Sequence, residues 1–285
     1  LENVDRLLKS PSSQRGRDFA VMLRTLGDLG YEIEWRVVNS ADYGFPERRI
    51  RVFIVATRSD IANQDSASEV MSTSGVLARS LPVIELTELN EFPLHYDAEI
   101  ISTEFNLGGS KSPFFNSGHY RSGKVTTAKS LAHFQGTRQT LGDILQPEDS
   151  VPKEFFVPDD QLPSWEYLKG AKSIERTHKG SGAVYKYAEG KMAFPDALDK
   201  PSRTILTGEG GTSPSRFKHV IKTDKGHRRL TPIELERLNG FPDNWTEFGK
   251  DGEAMSDARR AFFMGNALVV GLIEKVGKVL AEDLA

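Results

Sequence analysis

Hydrophobic and polar positions follow a regular pattern near the start of the chain. Apolar residues recur at helical spacing over residues 17–30, and Gly30 is suited to end that helix. Residues 31–38 alternate as a strand does, and residues 50–56 form a second strand rich in Ile and Val. The order helix, strand, loop, strand predicts the trailing edge of an α/β sheet whose earlier strands are absent from this sequence.

The most completely specified element of the second half is a short helix. Thr231 is suited to cap it, Pro232 fits its first position, and Glu234 stands where a capping box places its carboxylate. Gly240 offers a left-handed end, and Pro242 prevents the helix from resuming. These signals predict a rigid helix with both ends fixed, and they do not indicate a catalytic or binding function.

The middle of the chain is less regular. Between about residues 80 and 200 the periodicity weakens, and the hydrophobic content favours an ordered but irregular lobe. After it we predict a strand that runs into a glycine-rich turn at 200–212, a hairpin at 224–226, and a final helix over 269–284.

Composition narrows the possible functions. Hydrophobic residues make up 38% of the 285 residues and charged residues 27%, which is ordinary for a soluble protein. No apolar run is long enough to span a bilayer, and no signal-peptide pattern is present, so no membrane partner is expected. The net charge of -3 argues against a generally basic surface but leaves room for a local patch. The absence of cysteine excludes disulfides, cysteine-ligated zinc and a thiolate nucleophile within these residues, and no metal site is expected.

Two segments of the first half are candidates for chemistry, and each has a structural alternative. Glu2 and Asn3 stand at a strand end, where such residues also serve as a cap and a turn. Arg49 and Arg51 point to the same side of a strand. Their guanidinium groups either converge on one acceptor surface or prevent the pairing of an edge strand with another chain through their charge.

Two further candidate segments lie in the second half. The basic residues of 216–229 form either a solvated turn or a contact to phosphate. The turn at 265–267 is either a simple helix start or a place where the backbone approaches a ligand.

In this order and spacing, the segments resemble the motifs of the cytosine-5 DNA methyltransferases. Residues 2–4 resemble the family's Glu-Asn-Val motif, and residues 42–51 resemble its Gly-x-Pro-Gln-x-Arg-x-Arg motif. Residues 229–243 resemble its ninth motif, and residues 265–269 resemble the Gly-Asn-Ser/Ala-Val turn of its tenth. The resemblance therefore covers essentially the whole chain.

The resemblance implies an α/β fold with three segments. Residues 1–80 are expected to be the C-terminal part of a Rossmann-like methyltransferase sheet in the catalytic domain. Residues 81–225 are expected to form a smaller, irregular, mostly β target-recognition domain. Residues 226–285 are expected to contain the ninth-motif helix and a closing segment that returns to the catalytic domain.

The resemblance also implies a reaction. In the family, a cysteine thiolate adds to C6 of a cytosine flipped out of double-stranded DNA, and C5 then takes a methyl group from S-adenosylmethionine. By motif match Glu2 is the acid at N3 of that base. Arg51 is the donor to its O2, with Arg49 beside it, and Asn3 holds the local turn.

The remaining candidate residues are expected to bind the cofactor or DNA, or to support the fold. Part of the S-adenosylmethionine site is expected at Asn266, Ala267 and Val269. DNA contacts are expected before the ninth motif and in the basic segment, at Arg203, Thr204, Thr207, Gly210, Gly211, Lys218, Lys222, Arg228 and Arg229. Arg237 is expected to anchor loops, and Gly240 to fix the helix end.

Two departures from the family pattern affect this interpretation. Glu47 stands where the family usually has Gln, so an amide donor becomes an acceptor or a partner for Arg48 or Arg49. The family's glycine-rich cofactor loop and Pro-Cys motif precede Glu-Asn-Val, and only Leu1 does so here. We therefore expect a C-terminal fragment or one subunit, inactive alone, whose N-terminal portion or partner brings the missing motifs.

The expected location is the bacterial cytoplasm, in association with the nucleoid. Two other interpretations remain open from the sequence. One is a non-catalytic, sequence-specific DNA-binding module derived from a methyltransferase, and the other is a protein-interaction scaffold. Retention of Glu2, Arg49 and Arg51 argues against the binding module, because a mere binder does not need base-activating residues.

Overall fold

The structure is a computed structural model that describes residues 1–178, 180 and 182–284. It contains two compact units. The first unit comprises residues 1–44, residues 49–138 and the residues from Gly271 onward. The second unit comprises residues 45–48 and residues 139–270.

Both units contain strands and helices. The strands are β1 Glu2–Val4, β2 Tyr31–Asn39, β3 Ile50–Arg58, β4 Val83–Pro93, β5 Ser117–Arg121, β6 Lys124–Ala132, β7 Lys172–Thr177, β8 Val184–Glu189, β9 Val220–Thr223 and β10 Gly226–Arg229. The α-helices are α1 Arg17–Asp28, α2 Ala67–Glu69, α3 Val76–Ser80, α4 Ala98–Glu104, α5 Leu162–Lys169, α6 Pro232–Leu238, α7 Asp257–Asn266 and α8 Val270–Asp283. The helix predicted over 17–30, the strands predicted over 31–38 and 50–56, and the final helix are confirmed within two residues at each end.

The first unit is built around one sheet, which has six strands in the part of the chain that the structure describes. Their order is β1-β3-β2-β5-β6-β4. Every neighbouring pair in this sheet is antiparallel. The chain therefore forms an α/β unit on an antiparallel sheet, whereas a Rossmann-like sheet is mostly parallel.

One face of this sheet packs against α1 to form the core of the first unit. Phe19 of α1 meets Trp35 of β2 and Phe114 edge-on, with ring centroids 5.2 and 5.0 Å apart. Gly118 of β5 is required here, because a Cβ at that position would lie 1.9 Å from the Trp35 ring. Aromatic packing of this kind fixes the register of β2 against β5.

Strands β4, β5 and β6 extend the sheet of the first unit, whereas the sequence predicted a separate, irregular and mostly β domain for this region. The sequence of β5 is rich in small and polar residues, and its pairing with β2 joins positions that are distant in sequence, as in Trp35↔Gly118. Local periodicity contains no information on such pairing. The compact units therefore divide the chain differently from the predicted boundaries at 80 and 225, and target recognition by residues 81–225 stays a prediction.

The second unit has short hairpins and helices around its own core. Hairpin β9–β10 confirms the turn predicted at 224–226. The main buried cluster of the second unit contains Leu141, Ile144, Ile205, Ile221, Leu230, Leu235, Leu238, Ala261 and Met264. The strand predicted at 200–212 is wrong: within the described residues of that range, Ser202 forms an isolated parallel bridge with Glu47 and there is no strand.

The helix predicted from its capping signals is α6, and the structure confirms both of its ends. The Thr231 hydroxyl accepts a hydrogen bond from the Glu234 backbone N–H at 3.2 Å, and the Glu234 carboxylate accepts one from the Thr231 N–H at 2.9 Å. Gly240 ends the helix in the left-handed region, with φ at 77°. The Phe241 N–H donates back to the Glu236 carbonyl at 2.9 Å, which closes the last turn.

No helix among the residues that the structure describes is long and apolar enough to cross a membrane.

Candidate active site

The first unit brings Glu2 and Arg51 together. Strand β1 pairs antiparallel with β3 in a register that places Val4 opposite Arg51 and Glu2 diagonally across from it. The Nε atom of Arg51 lies 2.9 Å from Oε1 of Glu2, and the two side chains are 17% and 23% exposed. A partly exposed pair contributes little to stability, so this contact mainly positions an acid beside a fixed cation.

Asn3 and Arg49 are close to this pair in the sequence and make contacts of different kinds. The side-chain oxygen of Asn3 accepts a hydrogen bond from the Val4 N–H at 2.8 Å, and both residues lie in strand β1, not in a turn. Arg49 lies just before β3, where its backbone exchanges two hydrogen bonds of 3.1 Å with Ser40. Arg49 is only 3% exposed, whereas Arg51 is partly open. Of the two arginines, Arg51 has the guanidinium that a flipped base could reach.

Glu47, the departure from the family pattern, has a definite contact in the second unit. Its Oε1 accepts the backbone N–H of Ile205 at 2.7 Å. The same segment is held by the Arg48 N–H, which donates to the Ser202 carbonyl at 2.9 Å, and by the Ser202 N–H, which donates to Pro46 at 2.7 Å. The carboxylate thus acts as an acceptor, as its chemistry allows, and ties residues 45–48 to the segment around residue 202.

The segment that resembles the tenth motif begins in the last two residues of helix α7 and continues beyond its end. Gly265 packs against the chain itself, because a Cβ there would lie 2.4 Å from the backbone nitrogen of Thr207. Asn266 is exposed, and its amide nitrogen donates to the Phe262 carbonyl at 3.2 Å. Its carboxamide oxygen is an acceptor suited to a ligand hydroxyl or amine. Ala267 is partly buried and extended, and Val269 is buried. Contact of this segment with S-adenosylmethionine stays a prediction.

Arg228 has an internal partner instead of the expected phosphate. Its guanidinium makes two hydrogen bonds, of 2.8 and 2.7 Å, to the Glu234 carboxylate at the start of α6. Arg228 is 1% exposed, so it has no surface to offer to DNA. A buried guanidinium without a partner is costly, which is the physical reason for this pairing.

The other expected phosphate contacts in this region also hold protein groups. Arg203 bonds the Asp196 carboxylate at 2.8 and 3.2 Å. Lys218 donates to the carbonyls of Gly211 and Ser213 at 3.0 and 2.8 Å. Arg229 donates to Gly211 at 2.9 Å and to the Glu154 carbonyl at 2.6 Å. These cations brace loops, while Lys222 is exposed on β9.

The small residues of the expected recognition loop are partly used in packing. A Cβ on Gly210 would lie 2.6 Å from Cα of Ala258, so this glycine allows close contact with α7. Gly211 is exposed and has φ at 82°. The Thr204 hydroxyl donates to the Arg48 carbonyl at 2.5 Å, and Thr207 is exposed. Contact of Thr207 or Gly211 with DNA stays a prediction.

Arg237 and Gly240 have contacts of the kind that a supporting role requires. Arg237 forms two hydrogen bonds to the Asp243 carboxylate, of 2.7 and 2.6 Å. It also donates to the carbonyls of Ile144 and Leu145 at 3.1 and 3.3 Å. One guanidinium thus joins the end of α6 to a neighbouring loop.

Sequence reasoning did not single out hairpin β7–β8, which is the most exposed paired element of the second unit. The available signal was an alternation of basic and aromatic residues between residues 172 and 187.

Comparison with known sequences identifies the family. The family described as C-5 cytosine-specific DNA methylase matches residues 1–282. The Type II methyltransferase M.Sau3AI of Staphylococcus aureus is 44% identical over 290 residues, covering 99% of this chain and 66% of that protein. The Type II methyltransferase M.MthTI of Methanothermobacter thermautotrophicus is 24% identical over 276 residues, covering 94% and 61%. The chain thus spans slightly less than two thirds of the length of each of these relatives.

Solved structures support the fold. A methyltransferase of Entamoeba histolytica, EhMeth, superposes with a TM-score of 0.54 at 12% identity, covering 100% of this chain and 62% of that one. The Dnmt2 methyltransferase of S. pombe superposes with a TM-score of 0.54 at 13% identity, covering 99% and 66%. The α/β methyltransferase fold and the family that the motifs indicated are therefore confirmed. This chain belongs to the C-5 cytosine-specific DNA methylase family.

Proposed function

We propose that these residues carry the base-activating and DNA-recognising part of an enzyme that methylates C5 of a flipped cytosine in duplex DNA. The observation that supports this most directly is the Glu2–Arg51 pair, in which an acid and a guanidinium lie 2.9 Å apart and partly exposed. If the enzyme is bacterial, as the Staphylococcus relative is, it acts on the nucleoid in the cytoplasm.

The two side chains match adjacent atoms of one base. N3 and O2 of cytosine are both bonded to C2, so an acid at N3 and a cation at O2 must stand side by side. Glu2 gives N3 a hydrogen bond or a proton, which draws electrons from C6 and makes that carbon easier to attack. Arg51 donates to O2 and remains charged throughout, so it holds the base in place.

The attacking thiolate must come from outside these 285 residues, because they contain no cysteine. S-adenosylmethionine supplies the methyl group when it is bound. We propose that Asn266 accepts a hydrogen bond from this cofactor and that Ala267 and Val269 form an apolar wall beside it. The exposed carboxamide of Asn266 and the buried side chain of Val269 support this assignment.

The first experiment measures transfer of radiolabelled methyl groups to duplex DNA. The chain alone should show no transfer, and co-expression with the cysteine-bearing part of its enzyme should restore it. In the restored enzyme, Glu2→Gln should lower the rate by about 10²–10⁴-fold, the usual size of an acid–base contribution, while DNA binding persists.

The matched control is Asp5→Asn, which changes a nearby acid that pairs with Lys9 at 3.7 Å on the protein surface. It should leave the transfer rate unchanged. Transfer by the isolated chain, or full activity of Glu2→Gln, would contradict the proposal.

A second candidate function is sequence-specific DNA binding without catalysis, and the absence of cysteine is the observation that favours it. The same experiment separates the two functions. Persistent DNA binding with no methyl transfer, even in the presence of the cysteine-bearing part, would assign the chain to the binding class.

A further inference from the structure

Hairpin β7–β8 projects from the second unit with most of its side chains exposed. In β7 only Lys172 is partly buried, and in β8 only Tyr187 and Glu189 are. The two strands pair only with each other in the part of the chain that the structure describes. Gly180 and Gly182, in the connection between the strands, are exposed. Binding residues are concentrated in exposed connecting segments that a scaffold positions, and this hairpin presents such a segment.

The charge of this element is opposite in sign to that of the whole chain. Residues 172–191 contain five Lys or Arg and two Glu, whereas the chain as a whole has a net charge of -3. Among the described residues, no carboxylate lies within ion-pair distance of Lys172, Arg176 or Lys186. In the register of the hairpin, Glu189 lies opposite Lys172 and Glu175 lies opposite Lys186, but neither forms a close ion pair with that lysine. Arg203 and Arg228, in contrast, form close ion pairs with carboxylates of the protein.

Aromatic rings hold two of these cations in place. The guanidinium of Arg176 lies 3.6 Å from the ring centroid of Tyr187, which is on the same face of the hairpin. The ammonium of Lys172 lies 4.4 Å from the ring centroid of Tyr167. Stacking on a ring orients the planar fork of an arginine and leaves its N–H groups available to an acceptor.

The root of the hairpin is firmly attached. Arg216 donates to the carbonyls of Leu168 and Gly170 before β7, at 3.1 and 3.2 Å, and to the Gly190 carbonyl after β8. It also pairs with Glu189 at 3.3 Å. The Arg216 side chain thus holds the start of β7 and the end of β8 together. The hairpin is fixed at this end, and its connecting turn is at the other.

We propose that hairpin β7–β8 enters the major groove of duplex DNA and that Arg176 reads a guanine there. This inference rests on the proposed function. The major groove is about 12 Å wide and admits a two-stranded ribbon, and the arginine fork matches the O6 and N7 acceptors of guanine. Lys186 lies on the opposite face of the hairpin and contacts a backbone phosphate.

The test uses the full chain and a pool of duplexes with randomised central base pairs. Selection of bound duplexes should yield a preferred sequence that contains guanine. On that sequence, Arg176→Ala should weaken binding about five- to 150-fold, the range expected for one bidentate base contact, and should relax the preference at one position. On unselected duplexes Arg176→Ala should bind almost as the unmodified chain does.

Lys186→Ala should affect DNA binding differently, because a phosphate contact does not depend on the base sequence. It should weaken binding to all duplexes alike and reduce the slope of log affinity against log salt by about one. Lys153→Ala, which changes an exposed lysine of the same unit outside the hairpin, should alter neither quantity.

The outcomes separate the two proposals. If the unmodified chain binds no duplex even at low salt, the proposed function fails and this inference fails with it. If it selects a sequence and Arg176→Ala selects the same one with equal affinity, only the inference on the hairpin fails. Uniform weakening by Arg176→Ala would also overturn base reading, because it would make Arg176 a phosphate contact.

Discussion

Arg228 provides the sharpest test of the structural reasoning, because the sequence and the structure give it different roles. It is 1% exposed and bonded twice to Glu234, whose own side chain is fully buried. Glu234 also caps α6 and accepts the Gln146 N–H at 3.0 Å. Replacement by methionine, which is similar in length and apolar, would leave the Glu234 carboxylate buried without its cation.

Removal of one partner from a buried ion pair costs about 3–5 kcal/mol. The remaining N–H donors of Thr231 and Gln146 still bind the carboxylate, so we expect a loss near the lower limit, about 3 kcal/mol. The assay is urea denaturation of Arg228→Met, followed by amide hydrogen exchange in peptides that cover β10 and α6. Faster exchange should be concentrated in those peptides.

Two controls make this result interpretable. The double variant Arg228→Met/Glu234→Gln removes the unpaired charge, so it should recover part of the lost stability. Lys225→Met breaks an exposed pair with Asp149 and should change the free energy of unfolding by less than about 1 kcal/mol. Two results together would refute the structural role of Arg228 and favour a contact to phosphate. The first is a loss of less than about 1 kcal/mol in the free energy of unfolding of Arg228→Met. The second is weaker DNA binding with a smaller slope of log affinity against log salt.

Two further predictions concern pH and backbone geometry. Burial raises the pKa of Glu34 to about 7, although the N–H groups of Leu77 and Val76 oppose the shift. The native carboxyl then keeps its proton up to about pH 7, whereas the unfolded chain releases it near pH 4.5. Stability should therefore fall by about 3 kcal/mol as pH rises through this window, and Glu34→Gln should remove that part of the slope in urea titrations at pH 5 and pH 8. Gly240→Val places a β-branched residue at a φ of 77° and should cost about 1–2 kcal/mol or more, lowering thermal stability and DNA binding together. Gly240→Asn should be milder, and loss of binding by Gly240→Val with an intact melting curve would contradict the prediction.

Features with local causes could be predicted from the sequence. Helix α6 followed from Thr231, Glu234 and Gly240, because capping bonds and the left-handed end join residues that are neighbours along the chain. The pairing of Glu2 with Arg51 was less direct. Motif resemblance assigned both residues to one base, and the register of β1 against β3 then placed their side chains 2.9 Å apart.

Features that depend on distant residues could not be predicted. The sequence around Ser117 and Gly118 contains turn-forming residues, but it forms a strand that pairs with β2, where the Trp35 ring packs against Gly118. In the same way, the basic segment before α6 resembles a phosphate-binding surface. In the folded protein, the charge of Arg228 in this segment is paired with the Glu234 carboxylate.

The amino-acid sequence by itself indicated the family and determined the local elements with their caps. Only the tertiary structure decided which positive charges are available to a ligand. The physical reason is that desolvation forces a buried cation to find an acceptor within the protein, whereas an exposed one such as Arg176 keeps its donors in solvent. Whether a side chain is buried depends on packing between distant segments, which a linear pattern of charges does not contain.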